Sequence, residues 1–205
     1  MTPWWRDAVL YQISVRSFAE ARRAKLALMR HVVLLRGINV GAHNRIAMPA
    51  LRELLERAGF DEVQTYLQSG NVVLSSSATG EQVARTCERL IADELGLRIA
   101  VVVRTRAQLA KVVERNPFRE VATDPKRYQV SFLSARPAPA VLEKLEQVRA
   151  EDERLAVIGR EIYAWHPGGA ARSKLWAMLA GPSLKVTATA RNWTTVTKLL
   201  ELASA

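Results

Sequence analysis

The sequence predicts an α+β protein, a ferredoxin-like βαββαβ unit followed by a second, partly similar α+β subdomain. Three observations carry this prediction. Between residues 31 and 105, short β-branched runs alternate with helix-period stretches in the order β-α-β-β-α-β. One connection, Ser69-Gly70, is short enough for a hairpin. After residue 105 the rhythm partly returns, with no clear repeat between the halves and no low-complexity linker. The expected organisation is an N-terminal extension (1–28), a ferredoxin-like subdomain (29–105) and a C-terminal α+β subdomain (106–205) packed on it.

The elements follow in order. HVVLLRG (31–37) is an apolar run closed by glycine, hence a buried strand. MPALRELLERAGF (48–60) places Met48, Leu51, Leu55 and Ala58 on one helical face, with Pro49 in the first turn and Gly59 at the stop. EVQTYLQ and NVVLSS are the hairpin strands. Gly80 to Gly96 brackets a helix with Val83, Cys87, Leu90 and Ile91 inward, and LRIAVVVRT (97–105) is the fourth strand. In the second half, 106–116 is helical, YQVSFLS (128–134) is a strand and Val141, Leu142, Leu145 and Val148 mark a helix. RLAVIGREIYAWH reads as a hairpin turning near Gly159-Arg160. Helices follow at 173–181 and 193–203, with Ser173 and Asn192 suited to cap them.

Bulk properties narrow the function classes. The chain of 205 residues has a net charge of +10, concentrated at its two ends. Such a balance favours polyanions through counterion release. No apolar run reaches the roughly 18 residues needed to cross a bilayer. Cys87 is the single cysteine, so no internal disulfide forms, and a cytoplasmic location without membrane attachment is expected. His31, His43 and His166 lack ligand spacing, no nucleophile elbow is present, and neither a metal nor a cofactor is expected.

Two polar stretches stand out, LRGINVGAHNR (35–45) and TYLQSGNVVL (65–74). In a ferredoxin-like unit the end of strand one and the turn between strands two and three share an edge. That juxtaposes Arg36, Asn39, Asn44 and Arg45 with Gln68, Ser69 and Asn71. Arg191, near the start of the last helix, is a further candidate. Arginines beside loop amides suit a phosphate, a carboxylate or a nucleic-acid backbone. The same residues also suit pure architecture, since Asn and Ser-Gly are common turn chemistry and Arg36 can pair with Asp61 or Glu62. Tyr163 and Trp165 can stack a base or fill a core.

LRGINVG-x-x-N-R, the M-x-x-L-R helix and G-F-x-x-V-x-T-Y-x-Q-S-G-N-V-V resemble a bacterial family catalogued as domain of unknown function 1697. The resemblance continues through Asn116-Pro117-Phe118, YQVSFL, RSKL (172–175) and TARNWTTVTKL (189–199). It implies a two-part α+β fold and a small cytoplasmic protein, and it brings no activity or catalytic residue. Ala42 departs from it, standing where a second glycine is frequent. Separately, PWWRDAVLYQISVRSF (3–18) resembles the first strand of the alpha-amylase superfamily of glycoside hydrolases. Val15 replaces the usual proline there, and a (β/α)₈ barrel needs about 250 residues. Residues 1–28 are therefore read as a fused or mis-started extension, with sugar hydrolysis a remote alternative.

Two functional readings remain open from sequence. One is a module binding a phosphate-bearing small molecule or RNA at the 36–45 and 68–71 edge. The other is an enzyme acting on a small anionic or nucleotide-like metabolite, with no catalytic constellation to identify its reaction.

Overall fold

The computed structural model of the chain describes residues 28–41 and 44–205. The reading of the N-terminal extension, together with Ala42 and His43 of the polar loop, lies outside the described residues. The first unit contains β1 (Met29–Leu35), α1 (Met48–Arg57), β2 (Asp61–Tyr66), β3 (Asn71–Ser76), α2 (Gly80–Leu95) and β4 (Val101–Thr105), followed by α3 (Arg106–Glu114). The second contains β5 (Tyr128–Leu133), α4 (Pro139–Val148), β6 (Arg154–Ile158), β7 (Glu161–Trp165), α5 (Lys174–Ala180) and β8 (Ala188–Asn192), followed by α6 (Trp193–Ser204).

Sheet one has the order β2-β3-β1-β4 and sheet two the order β6-β7-β5-β8, every neighbouring pair being antiparallel. Relabelled within each half, the two orders are the same. The second subdomain is thus a second complete βαββαβ unit, each unit being followed by one helix. The similarity is fuller than the sequence rhythm suggests, because ATARN (188–192) forms the fourth strand. Its small and polar residues lack the β-branched apolar run that marks the other strands. In the first unit, β4 begins at Val101, so the strand expected over 97–105 is shorter. β1 ends at Leu35, and beyond the ladder only the Arg36 amide reaches across, to Ala100 O. Ile99 instead packs with α2 in the core.

Local signals set the helix starts. Thr79 with Gln82 and Thr105 with Gln108 form capping boxes for α2 and α3. Ser173 and Asn192 cap α5 and α6, as their positions in the sequence suggest. Gly96 closes α2 in the left-handed conformation.

The helices and sheets enclose three clusters. Leu51, Leu54 and Leu55 of α1 and Val83, Cys87 and Ile91 of α2 cover one face of sheet one. Leu145 of α4 and Leu175 and Leu179 of α5 cover one face of sheet two. The remaining faces of both sheets enclose a shared core with α3 and α6, including Leu34, Val73, Phe132, Leu109 and Leu199. Neither sheet therefore offers an open face. Tyr163 is 1% and Trp165 6% exposed in this shared core, so they fill it and stack no base.

Candidate functional site

β1 and β3 are neighbours with Leu34 opposite Asn71, which brings the end of β1 beside the turn that leads into β3. The two polar stretches therefore meet, and hydrogen bonds join them directly. Asn39 Nδ2 donates to Gln68 O at 2.8 Å and to Ile46 O at 3.0 Å, while its Oδ1 accepts from the Ile46 amide at 3.0 Å. Asn44 Nδ2 donates to Gly37 O at 3.3 Å. Asn71 is fully buried, and its Nδ2 donates to Tyr66 O at 2.8 Å and Ser69 Oγ at 3.1 Å. Asn39, Asn44 and Leu67 all take left-handed backbone conformations, with φ of 54°, 51° and 57°. In Leu67 this conformation is costly and coincides with an exposed side chain.

Beneath the edge lies Arg191 of β8, only 7% exposed. Its Nε donates to Asn71 Oδ1. Nη2 donates to Leu35 O at 2.9 Å, Ser69 O at 2.9 Å and Gly70 O at 3.1 Å, and Nη1 to Ala190 O and Thr189 Oγ1. One guanidinium of the second unit thus clasps the end of β1 and the hairpin turn of the first. Asn39, Asn71 and Arg191 are turned inward and bonded. Arg36, Asn44, Arg45 and Gln68 stay at the surface, and the exposed Ser69 has its hydroxyl bonded to Asn71.

The clasp has a counterpart. Arg104 occupies the same position in β4 that Arg191 occupies in β8, the fourth of five residues. Its Nη2 donates to Leu133 O, the end of β5, at 2.8 Å and to Arg160 O in the hairpin turn of the second unit at 3.2 Å. Its Nη1 donates to the preceding carbonyl, Val103 O, as Arg191 does to Ala190 O. The two units therefore exchange arginines in a reciprocal, pseudo-twofold manner. Sequence reasoning missed Arg104 altogether. The available signal was the pairing of VVVRT and ATARN, each an Arg one residue before a helix cap.

The two clasps differ in charge. Arg104 Nε meets the carboxylate of Glu161, the first residue of β7, at 2.7 Å. The equivalent position at the start of β3 is Asn71, which is neutral. Burial lowers the Arg104 pKa while Glu161 opposes that shift. Burial lowers the Arg191 pKa to about 10, with no charged partner counteracting it. At neutral pH Arg191 remains a buried cation without a carboxylate among the described residues.

Other candidates resolve simply. Glu62 pairs with Arg30 at 3.0 Å rather than with Arg36. Cys87 is buried, and desolvation pushes its thiol up to about 12. His166 Nδ1 lies 2.6 Å from Glu153 Oε1, and the Ala150 amide donates to Glu153 Oε2 at 3.0 Å. Burial alone would raise the Glu153 carboxyl, but hydrogen bonds from Ser173, His166 and Ala150 together hold it below its usual value. Its folded pKa being depressed, Glu153 contributes stability above the unfolded carboxylate pKa that is lost as pH falls through the folded one. Glu153→Gln is therefore expected to flatten the loss of stability between about pH 5 and pH 2 in urea titrations. An acid limb as steep as the parent's would contradict that role.

Comparisons with known proteins agree with this architecture. The model of a family described as protein of unknown function (DUF1697) matches residues 28–163. The structure of the conserved bacterial protein SP0830 from Streptococcus pneumoniae superposes with a TM-score of 0.72 at 23% identity, covering 86% of this chain and 99% of that one. That likeness concerns the fold alone. No curated protein matches the sequence. Among the described residues no helix is long and apolar enough to cross a membrane.

Proposed function

Because the chain belongs to the family described as protein of unknown function (DUF1697), which supplies no activity to inherit, we propose its function from its own surface: a module that binds a phosphate-bearing ligand, RNA included, at the edge formed by the 36–45 loop and the 68–71 turn. The observation that carries this reading is the unbalanced charge of Arg191. The sister clasp neutralises its guanidinium with Glu161, whereas Arg191 lies beneath the edge opposite an amide. A buried cation in a medium of low dielectric constant extends its field further than a solvated one. Arg45 is exposed and Arg36 half-buried on the same edge, where the exposed Val40 and Leu67 give a ligand apolar surface to rest on.

The sheets are covered on both faces, so sheet-face stacking of bases is not part of this reading. Recognition rests on phosphate contacts, which position a strand without reading its sequence. The test is fluorescence anisotropy of a short labelled single-stranded RNA over a salt series, with a nucleoside triphosphate as competitor. Arg36→Ala and Arg45→Ala are each expected to weaken binding and to lower the salt slope by about 0.7 for each phosphate no longer neutralised. Unchanged affinity and slope in both variants would reject the reading.

A further inference from the structure

A second basic feature lies away from that edge, at the other clasp. α3 and the β6–β7 hairpin wall a cleft of about 240 Å³ whose lining includes Arg104, Lys111, Arg115, Arg160, Glu161 and Tyr163. Arg104 forms part of the lining with its side chain 2% exposed, and it neutralises Glu161, the carboxylate of the cleft, at 2.7 Å. Among the described residues three cations of the lining are then left over. Lys111 of α3 and Arg115 at its C-terminal cap are exposed one turn apart, and Arg160 is exposed in the facing hairpin turn, its Nη1 reaching only Ser134 O at 3.4 Å. Tyr163 closes the inner wall with its hydroxyl bonded to Val112 O at 3.0 Å, and Arg115 is near enough to act on its ionisation.

We infer that this cleft is a binding site for a diphosphate group, separate from the 36–45 edge. Charge and size together select that ligand class. A single phosphoryl group carries roughly −1.5 to −2 and leaves a cation unmatched, whereas two linked groups match all three. The volume falls below the roughly 300–1,000 Å³ of drug-sized sites, which suits a compact anion. The ligand-facing cations come from both units, Lys111 and Arg115 from one and Arg160 from the other. The Arg104 bridge to Leu133 O and Arg160 O fixes the distance between those walls before any ligand arrives. Beyond Arg104 and Arg160 the cleft adjoins a hollow of about 520 Å³ along β4, lined also by Ser134, by Arg85 paired with Glu81, and by Glu88, which accepts from the Val101 amide. That space accommodates an organic group attached to the diphosphate.

The test is isothermal titration calorimetry on the full chain at fixed ionic strength, with inorganic pyrophosphate and, separately, a nucleoside diphosphate. The Arg36→Ala/Arg45→Ala variant is expected to keep the pyrophosphate site that the α3 variants lose, and Arg57→Ala, an exposed charge outside both sites, is expected to bind as the parent does. Lys111→Ala and Arg115→Ala, both at exposed positions, are each expected to lose roughly tenfold in affinity. Tighter binding of the nucleoside diphosphate assigns the adjoining hollow to its organic part, and equal binding confines recognition to the phosphates. No heat with either ligand, undiminished affinity in both α3 variants, or a loss that follows Arg36 and Arg45 instead would overturn the inference. The last of these results leaves the edge reading standing, whereas failure at the edge alone leaves this cleft standing.

Discussion

Arg191→Ala is expected to lower the unfolding free energy by about 3–5 kcal/mol, measured by urea denaturation at neutral pH. The physical reason is the set of acceptors left behind. Leu35 O, Ser69 O, Gly70 O and Asn71 Oδ1 all receive hydrogen bonds from this one side chain. Gly70 O keeps the Leu35 amide at 2.9 Å and Leu35 O keeps the Thr189 hydroxyl at 3.3 Å. Ser69 O and Asn71 Oδ1 lose their donor at a cost of roughly 1–3 kcal/mol each, part of which water entering the vacated space recovers. Arg191→Lys should recover little, because an ammonium cannot reproduce the planar fork that spans these carbonyls. At the sister clasp, Arg104→Ala has an added penalty, since it strands the Glu161 carboxylate, which is 14% exposed. A decrease near 1 kcal/mol in Arg191→Ala would show that solvent satisfies these carbonyls and that the clasp is dispensable.

The second large effect is expected at the turn that Arg191 holds. Gly70→Ala should cost about 2–4 kcal/mol, read as a shift in denaturation midpoint at constant slope. Gly70 has φ of +76°, a conformation that costs an L-residue about 1–2 kcal/mol. A Cβ here would also stand 2.7 Å from Ile38 Cδ1 and 2.8 Å from Leu35 Cβ. The Leu35 contact involves atoms fixed by the backbone of β1, so a rotamer change at Ile38 relieves only part of the clash. If Gly70→Ala unfolds at the parent's midpoint, the turn is looser than its packing implies.

These two positions show what the sequence revealed and what it concealed. The βαββαβ order of the first unit was legible because its strands are β-branched runs and its helices carry clear stops. The meeting of the polar stretches was legible too, since it follows from topology. The second unit was only half visible. ATARN reads as a polar lead into a helix, and its role as a strand depends on burying an arginine, which no propensity scale favours. For the same reason Arg191 looked like a surface cation and Arg104 looked like nothing in particular. Charge balance inside a protein is a three-dimensional property: that Glu161 answers Arg104, and that no ionic group among the described residues answers Arg191, depends on which strands the fold places face to face. The roles of Asn39 and Asn71 were divided between ligand contact and turn architecture, and residue type alone does not separate these. Their burial and partners do.

The exchange of arginines has a consequence for how the chain is made. The side chain that seals the turn at Ser69-Gly70, Arg191, follows Ser69 by 122 residues in the chain. The first unit is therefore synthesised before the guanidinium that meets Ser69 O and Asn71 Oδ1, and before α6, which joins α3 over the shared-core face of its sheet. Its own Arg104, meanwhile, is ready before the strand ends it will grip exist. Completion of the first half waits for residue 191, and a chain cut short before it leaves both halves unfinished.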